Sequence, residues 1–320
     1  MKKDKRLLGV FMIMLVGLIA LLSACGSTSS NANSEQDGLS KEETSNEKAD
    51  WPEKIALGVL PGEEEGEMSR GNEILANDMA EALGIEVELY VGQDYNAVIE
   101  AMRSKKIDIA NYGPFSYILA AERSNAVPFA IRGITVDDAF YKSYIIVPDE
   151  SDVQTLEDLK GKSILFADPA STSGHLFPRM MFVKGLGIDN DKIESFFGNV
   201  SFSGGHDNSV MAIAAGDADA AGVSSSTVEK MVEKGLIKES DFRIIKESDP
   251  IPSNPFTYRG DLPESLVTEI KEFFYNYDNQ EFFDKSPKPE ARYFEINDDK
   301  YQVIRDTAEA LNMSPEELLK

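Results

Sequence analysis

Three consecutive hydroxyl residues, Ser171, Thr172 and Ser173, separate an apolar segment from a segment with helical spacing. The apolar residues 162–167 predict a buried strand, and residues 175–183 predict a helix. The first turn of a helix leaves backbone N–H groups unpaired and carries partial positive charge, and hydroxyl groups add further donors. This order favours an anion-binding site over a simple N-cap, because a cap needs only one hydroxyl.

Other polar side chains follow predicted strands or open predicted helices. Asn111 and Tyr112 come directly after the apolar residues 107–110, Tyr95 opens a helix, and His206 follows two glycines. Ligands of open α/β sheets bind beyond the carboxyl ends of the strands. The sequence therefore predicts that these groups meet the hydroxyl loop at one cleft.

Strands and helices alternate along the chain, which is typical of an α/β fold with parallel strands and crossover helices. The predicted strands are 54–60, 85–90, 107–110, 162–167, 194–199 and 218–223. The predicted helices are 69–83, 95–103, 114–122, 174–184 and 207–215, and the acidic segment from Asp298 predicts a surface helix. We therefore expect two α/β lobes, each a mostly parallel sheet flanked by helices.

A short internal similarity supports two similarly wound lobes. Residues 102–110 and 213–221 both read as a helix end, a polar turn and a strand with the pattern x-Asp-x-Ala. The extended segments 144–147 and 251–258 are predicted to cross between the lobes. The expected organisation is lobe 1 at 51–143, lobe 2 at 144–250 and a return to lobe 1 at 251–320.

The N-terminus has the layout of an export signal. Basic residues precede the apolar stretch 7–22, which is short for a membrane span, and Leu22-Ser23-Ala24-Cys25 resembles the lipobox of bacterial lipoproteins. That resemblance implies removal of a signal peptide at 1–24 and lipidation of Cys25, which would place the protein on the extracytoplasmic face of the cell membrane. The alternative is an uncleaved N-terminal anchor. Since Cys25 is the only cysteine, no internal disulfide is expected.

Residues 25–50 contain almost no apolar side chains, so they cannot bury enough surface to offset the entropy of ordering. We expect a flexible tether there. The formal net charge of −24 argues against nucleic-acid binding and against a basic patch on anionic lipid. An anion site in such a chain needs neutral donors and helix dipoles at short range, since distant surface charge is screened.

Four segments occur in the same order as in a known family: Asp94-Tyr95 with 107–113, Asp168–Gly174, Gly205–Asn208 and Ile251–Pro255. On these segments the chain resembles the phosphonate-, phosphite- and phosphate-binding lipoproteins of ABC importers, a branch of the type II periplasmic-binding-protein fold. The D-P-x-S-T-S-G run followed by G-H is the specific part. The resemblance covers essentially the whole domain after the tether. It implies an extracytoplasmic solute-binding protein, expected as a monomer, that delivers a small oxyanion to a permease and its ATPase.

The resemblance also implies roles for single residues. The residues it assigns to ligand binding are Tyr95, Tyr112, Ser171, Thr172, Ser173 and His206. Family members that bind aminoalkylphosphonates carry carboxylates where this chain has Ser226 and Asn254. Both carboxylates would pair with an ammonium group, so their absence favours phosphite, phosphate or methylphosphonate.

Several alternatives stay open from the sequence. Tyr141 and Tyr144 either line the cleft or pack the crossing strands, and His175 is expected at the rim or in a structural role. A lipoprotein that presents ligand to a signalling receptor would share these features. A hydrolase using Ser173, His206 and an aspartate is disfavoured, because the sequence lacks G-x-S-x-G, Walker and H-E-x-x-H motifs. We therefore expect no catalysis, no cofactor and no metal.

Overall fold

The computed structural model describes residues 48–61, 67–285 and 288–313, apart from the side chains of residues 67–69. The predicted signal peptide, Cys25 and all but the end of the predicted tether lie outside the described residues. Within the described ranges, no helix combines the length and the apolar character that crossing a membrane requires.

The strands and helices of the described residues follow the expected alternation. The strands are β1 (Lys54–Val59), β2 (Glu86–Val91), β3 (Ile109–Asn111), β4 (Ala126–Gly133), β5 (Phe140–Tyr141), β6 (Ser143–Pro148), β7 (Ser163–Phe166), β8 (Asn199–Phe202), β9 (Ala220–Ser224), β10 (Phe242–Glu247), β11 (Ile251–Pro252), β12 (Pro255–Arg259) and β13 (Arg292–Glu295). The α-helices are α1 (Glu67–Leu83), α2 (Tyr95–Arg103), α3 (Pro114–Ser124), α4 (Phe177–Leu186), α5 (Ile193–Phe196), α6 (His206–Ala215), α7 (Ser225–Glu233), α8 (Glu264–Tyr275), α9 (Gln280–Phe283) and α10 (Gln302–Ala310).

Two sheets form the framework of the molecule. The six-stranded sheet has the order β13-β4-β12-β3-β1-β2, and the five-stranded sheet has the order β10-β6-β9-β7-β8. We call the six-stranded sheet with its helices lobe 1, and the five-stranded sheet with its helices lobe 2. The expected α/β fold is confirmed, and both sheets are mixed rather than mostly parallel. Parallel pairs occur where helices cross over, whereas β12, β13, β6 and β10 pair antiparallel.

A short antiparallel ribbon, β5 with β11, lies where the chain passes from one sheet to the other. We predicted crossing strands at 144–147 and 251–258, and only the start of the second segment, Ile251–Pro252, lies in this ribbon. Residues 144–147 belong to β6 of the five-stranded sheet, and 255–258 belong to β12 of the six-stranded sheet. Both segments are apolar and buried because they complete the sheets, and that pattern does not distinguish a sheet strand from a crossing strand.

The internal repeat has a structural basis in two aspartates. Asp108 Oδ2 accepts the N–H of Ala56 on β1 at 2.9 Å, and Asp219 Oδ2 accepts the N–H of Ser163 on β7 at 2.7 Å. Each aspartate thus connects the turn between a helix and a strand to a neighbouring parallel strand, which is β1 for Asp108 and β7 for Asp219. Asp108 also forms an ion pair with Arg259 on β12, with 2.7 Å between its Oδ1 and Nη2.

The predicted strand at 194–199 was wrong. Residues 193–196 form the short helix α5, and β8 begins only at Asn199. Ile193 and Phe197 are buried at a helical spacing of four, and the Phe197 ring packs edge-on against Phe182 with 5.0 Å between centroids. The tertiary contact with α4 therefore decides the local conformation.

Candidate anion-binding site

The loop Asp168–Gly174, which we call the anion loop, joins β7 to a π-helical turn at 172–176 that continues into α4. The expected strand, hydroxyl-rich loop and helix are confirmed here. Ser171 has an extended backbone, and its Oγ accepts the N–H of Gly174 at 3.0 Å, as an N-cap does. The cap therefore uses one hydroxyl of the three, and those of Thr172 and Ser173 remain for other partners.

Gly174 allows His206 to approach the anion loop closely. A Cβ at position 174 would lie 2.4 Å from the Ala167 Cβ and 2.8 Å from His206 Cε1, which are both too short for real contacts. Ser143 holds the loop from β6, since its buried Oγ donates to the carbonyl oxygen of Ser173 at 2.7 Å. The loop is therefore fixed on both sides before any ligand is considered.

His206 begins α6 and faces the serine hydroxyls. Its Nε2 lies 3.3 Å from Ser171 Oγ and 3.5 Å from Ser173 Oγ, and its Nδ1 accepts the N–H of Ser224 at 3.2 Å. Burial lowers the pKa of His206 to about 4, so the ring is neutral near pH 7. Since Nδ1 accepts a hydrogen bond, the proton of the neutral ring is on Nε2. His206 therefore offers an N–H donor to the cleft.

Tyr141 enters the site from β5 of the connecting ribbon. Its side chain lies beside those of Ser173 and Thr172, and burial raises its pKa to about 12. Tyr141 lines the cleft, whereas Tyr144 packs against the apolar core of lobe 2. The structure thus separates two tyrosines that the sequence left equivalent, and it adds Tyr141 to the candidate site.

Tyr112 does not take the role that the resemblance implied. Its side chain is fully buried in lobe 1, and its hydroxyl donates to the carbonyl oxygen of Val98 at 3.1 Å. Asn111 and Gly113, the neighbours of Tyr112 on either side, line the cleft. Successive side chains of an extended segment point to opposite faces, so Tyr112 must point into the core when its neighbours face the cleft.

The cleft brings together most of the other predicted residues. Tyr95, Ser171, Thr172, Ser173, His206, Ser226 and Asn254 all line it. Its volume is about 560 Å³, and Asn111, Thr227 and Ser253 add neutral polar groups to its wall. Basic side chains outnumber acidic ones along the described part of the wall, although the whole chain is strongly acidic.

His175 lies behind the anion loop and is buried at 4 % exposure. Its Nδ1 is 2.9 Å from the carbonyl oxygen of Pro169, and its ring meets Phe166 and Phe202 edge-on with centroids 4.9 Å and 5.1 Å away. Burial lowers the pKa of His175 to about 4, so the neutral ring donates from Nδ1 to Pro169. Of the two expectations for His175, the structure supports the structural role.

A family model described as "ABC transporter, phosphonate, periplasmic substrate-binding protein" matches residues 57–301. The chain belongs to this family. The phosphate-import protein PhnD of Mycolicibacterium smegmatis is 29% identical over 258 residues, which cover 78% of this chain and 80% of that protein. The phosphonates-binding periplasmic protein of Escherichia coli is 31% identical over 228 residues, which cover 70% of this chain and 66% of that protein.

Solved structures of the family confirm the fold. The structure of PhnD1 from Prochlorococcus marinus in complex with methylphosphonate aligns with a TM-score of 0.73 and 20% identity, covering 82% of this chain and 99% of that chain. The resemblance read from the sequence is therefore confirmed at the level of the family and the fold. The candidate site residues of this family member are chosen from the geometry of its own chain.

Sequence reasoning about this family member missed two features of the site. Tyr141 was left open between lining the cleft and packing the crossing strands. Asp168 was quoted as part of the loop, but its contact with the opposite lobe had no local signal. Its Oδ2 accepts the N–H of Tyr95, which is 73 positions away in the chain, at 3.4 Å.

Proposed function

We propose that this protein captures a small phosphorus oxyanion of the phosphite, phosphate or methylphosphonate class and delivers it to the permease and ATPase of an ABC importer. The observation that carries the proposal is the convergence of neutral donors on one point of the cleft. The hydroxyls of Ser171 and Ser173 lie 3.3 Å and 3.5 Å from the Nε2 of His206, and Tyr141 lines the same cleft. Hydrogen bonds to an ionised ligand are stronger than those between neutral groups.

Neutral donors suit a multiply charged oxyanion in an acidic protein. A tetrahedral oxyanion offers several acceptor oxygens, and no one element of this fold supplies enough donors for them. The anion loop, the start of α6 and the β5 ribbon each supply part of the set. The partial positive charge at the start of α6 adds to the attraction at short range. We propose binding alone at this site, without chemical conversion of the ligand.

Two side chains that line the cleft support a ligand without an amine. Ser226 and Asn254 both line the cleft, so a substituent on phosphorus would meet a hydroxyl and an amide there. An ammonium group is stabilised by carboxylates, and these two positions provide none. The proposed ligand therefore carries hydrogen or a small neutral group on phosphorus, or is inorganic phosphate.

Titration calorimetry tests the proposed ligand class. We expect phosphite, methylphosphonate or phosphate to bind more tightly than 2-aminoethylphosphonate. A double variant, Ser226→Glu with Asn254→Asp, should reverse this order, because it supplies both carboxylates. A matched control, Ser226→Thr with Asn254→Gln, should keep it. Tighter binding of the aminated ligand by the wild-type protein would contradict the proposal.

We also propose that Cys25 carries the lipid that anchors the mature protein at the extracytoplasmic face of the membrane, with residues 25–50 as the tether. The support is the basic, apolar and lipobox-like order of residues 1–25. Metabolic labelling with a radioactive fatty acid should mark the wild-type protein and leave Cys25→Ala unlabelled. Equal labelling of the two would exclude Cys25 as the site.

A further inference from the structure

The helices of lobe 1 that begin at the cleft receive hydrogen-bond acceptors from lobe 2. Helix α3 starts at Pro114 after Gly113, a residue with no side chain to act as a cap. The N–H of Phe115, which the helix itself leaves unpaired, donates to Thr172 Oγ1 in the anion loop at 2.8 Å. Thr172 therefore acts as the N-terminal cap of a helix that belongs to the opposite lobe.

Helix α2 is capped in two ways at its first turn. Asp94, from the same lobe, accepts the N–H of Ala97 at 2.6 Å. Asp168, from the anion loop, accepts the N–H of Tyr95 at 3.4 Å with Oδ2 and the N–H of Ala170 at 2.8 Å with Oδ1. One carboxylate thus joins its own loop to the start of a helix in lobe 1. Asp168 is 6 % exposed, so both bonds lie at a closed seam.

Apolar contacts continue this seam behind the cleft. Ala170, Leu176 and Phe177 of lobe 2 belong to the same buried cluster as Tyr95 and Phe115 of lobe 1. The anion loop therefore presents hydroxyls to the cleft and an apolar back, with two helix caps, to lobe 1. When the lobes separate, the two helix N–H groups and the Asp168 carboxylate must exchange these partners for water.

We propose that the anion loop closes the cleft by capping α2 and α3 of the opposite lobe, and that Asp168 is a positioning residue that places Tyr95 against the ligand. This inference rests on the proposed function of the cleft. The hydroxyl of Thr172 accepts from Phe115, so its own proton stays available for an anion. Hydrogen bonds in a chain polarise and strengthen one another. A bound anion therefore strengthens the same contact that holds the lobes together.

The variant Asp168→Asn tests the cap on α2 separately from the cap on α3. The single amide oxygen can keep the bond to Ala170, while the NH₂ group replaces the acceptor that Tyr95 requires. Asp94→Asn is the matched control, because it removes the same charge from the same helix end but acts within lobe 1. A second pair tests the cap on α3. Thr172→Val removes the acceptor for the N–H of Phe115, and Thr172→Ser keeps it.

Backbone hydrogen exchange in the ligand-free, full-length protein reads out the caps directly. We expect Asp168→Asn to speed exchange at Tyr95, and Thr172→Val to speed it at Phe115, each by about 3- to 30-fold, the range of a lost N-cap. Asp94→Asn and Thr172→Ser should leave these two amides close to wild type. Asp168→Asn should also raise the dissociation rate of phosphite or methylphosphonate, whichever binds, without a matching change in the unfolding midpoint.

The outcomes separate this proposal from the proposed function. If amide exchange at Tyr95 and Phe115 is as slow in Asp168→Asn and Thr172→Val as in the wild type, the capping proposal is wrong. This holds even if the protein binds oxyanions. A protein that binds none of the tested oxyanions, yet loses protection at these amides in the two variants, would refute the function and leave the caps standing. A shift of the same size in Asp94→Asn would mean that the effect belongs to α2 alone.

Discussion

At the scale of the residue, the decisive property of the site is which hydroxyl faces the cleft. Tyr112 is fully buried and Tyr141 is half-buried, and burial raises the pKa of each phenol above its usual value. The Tyr112 hydroxyl donates to a backbone carbonyl inside lobe 1, whereas the Tyr141 side chain lies beside the hydroxyls of the anion loop. Only Tyr141 is therefore placed to bind a ligand without losing a hydrogen bond of the core.

Tyr141→Phe and Tyr112→Phe make a matched pair of variants. Tyr141→Phe should weaken oxyanion binding by about 1.5–3 kcal/mol, the range for a hydrogen bond to a charged group. Tyr112→Phe should leave binding unchanged and lower the free energy of unfolding by about 0.5–1.5 kcal/mol, the range for a neutral hydrogen bond. Calorimetry and urea unfolding measure the two quantities. The opposite pattern would place Tyr112, not Tyr141, in the site.

Two histidines with lowered pKa values, the buried His175 and the half-buried His206, predict a loss of stability on mild acidification. Burial lowers the pKa of both His206 and His175 to about 4, from 6.5. Between those values the unfolded chain binds protons that the folded chain does not, so the free energy of unfolding falls as pH drops from about 6.5 towards 4. Each pKa unit is worth at most about 1.4 kcal/mol.

Urea unfolding at intervals between about pH 7 and pH 4.5 checks this dependence, because carboxylates titrate mainly below that range. His175→Phe should make the pH dependence shallower, since it removes one of the two groups. A free energy of unfolding that stays constant across the range would show that neither histidine has a lowered pKa in the folded protein.

At the scale of the element, the anion loop is held by what lies behind it. His175 packs between Phe166 and Phe202 and donates to Pro169, so it braces the loop without lining the cleft. The π-helical turn at 172–176 places His175 on the buried side while Thr172 and Ser173 line the cleft. One turn of the chain thus carries both the candidate donors and the side chain that positions them.

His175→Ala should therefore destabilise the fold more than it weakens binding. Removing a buried ring leaves a cavity, and losses of roughly 2–5 kcal/mol are typical of such changes. His175→Asn, which keeps a donor near the position of Nδ1, should retain oxyanion affinity close to wild type. Unfolding and calorimetry on the same variants test this. A large loss of affinity in His175→Asn, with stability intact, would place His175 in contact with the ligand.

At the scale of the whole molecule, the two lobes are connected through the β5–β11 ribbon, the seam of the anion loop and contacts of the C-terminal segment, such as the bond from Asn190 Nδ2 to the carbonyl oxygen of Leu311 at 2.9 Å. The cleft between them is lined by basic residues from both sides, including Arg132 on β4 and Lys230 on α7. These charges offset the acidity of the chain where an anion must enter. Potentials from more distant acidic residues are reduced by salt over about 8–10 Å.

The two-lobed arrangement predicts closure on ligand. The proposed lobes, 51–143 with 251–320 and 144–250, should move as bodies about the ribbon. Small-angle scattering should show a smaller radius of gyration at saturating phosphite or methylphosphonate than without ligand. Asp168→Asn should enlarge the ligand-free molecule further. Identical profiles with and without ligand would argue against a closing cleft.

The sequence by itself determined the features that depend on near neighbours in the chain. The strand, hydroxyl-rich loop and helix at 162–184, the cap at Ser171 and the paired x-Asp-x-Ala turns follow from spacing over one to four residues. The D-P-x-S-T-S-G loop favoured an anion site, and together with the G-H that follows it was the specific part of the resemblance to the family that was confirmed.

The tertiary structure alone decided which groups meet across the cleft. The orientations of Tyr112 and Tyr141, the place of the crossing ribbon and the helix turn at 193–196 all depend on packing between distant segments. Thr172 caps α3 by accepting the N–H of Phe115, which is 57 positions away in the chain, and no local pattern predicts such a pair. The physical reason is that a local pattern fixes how a segment folds, while the partner of a buried polar group is chosen by the sheet that carries it.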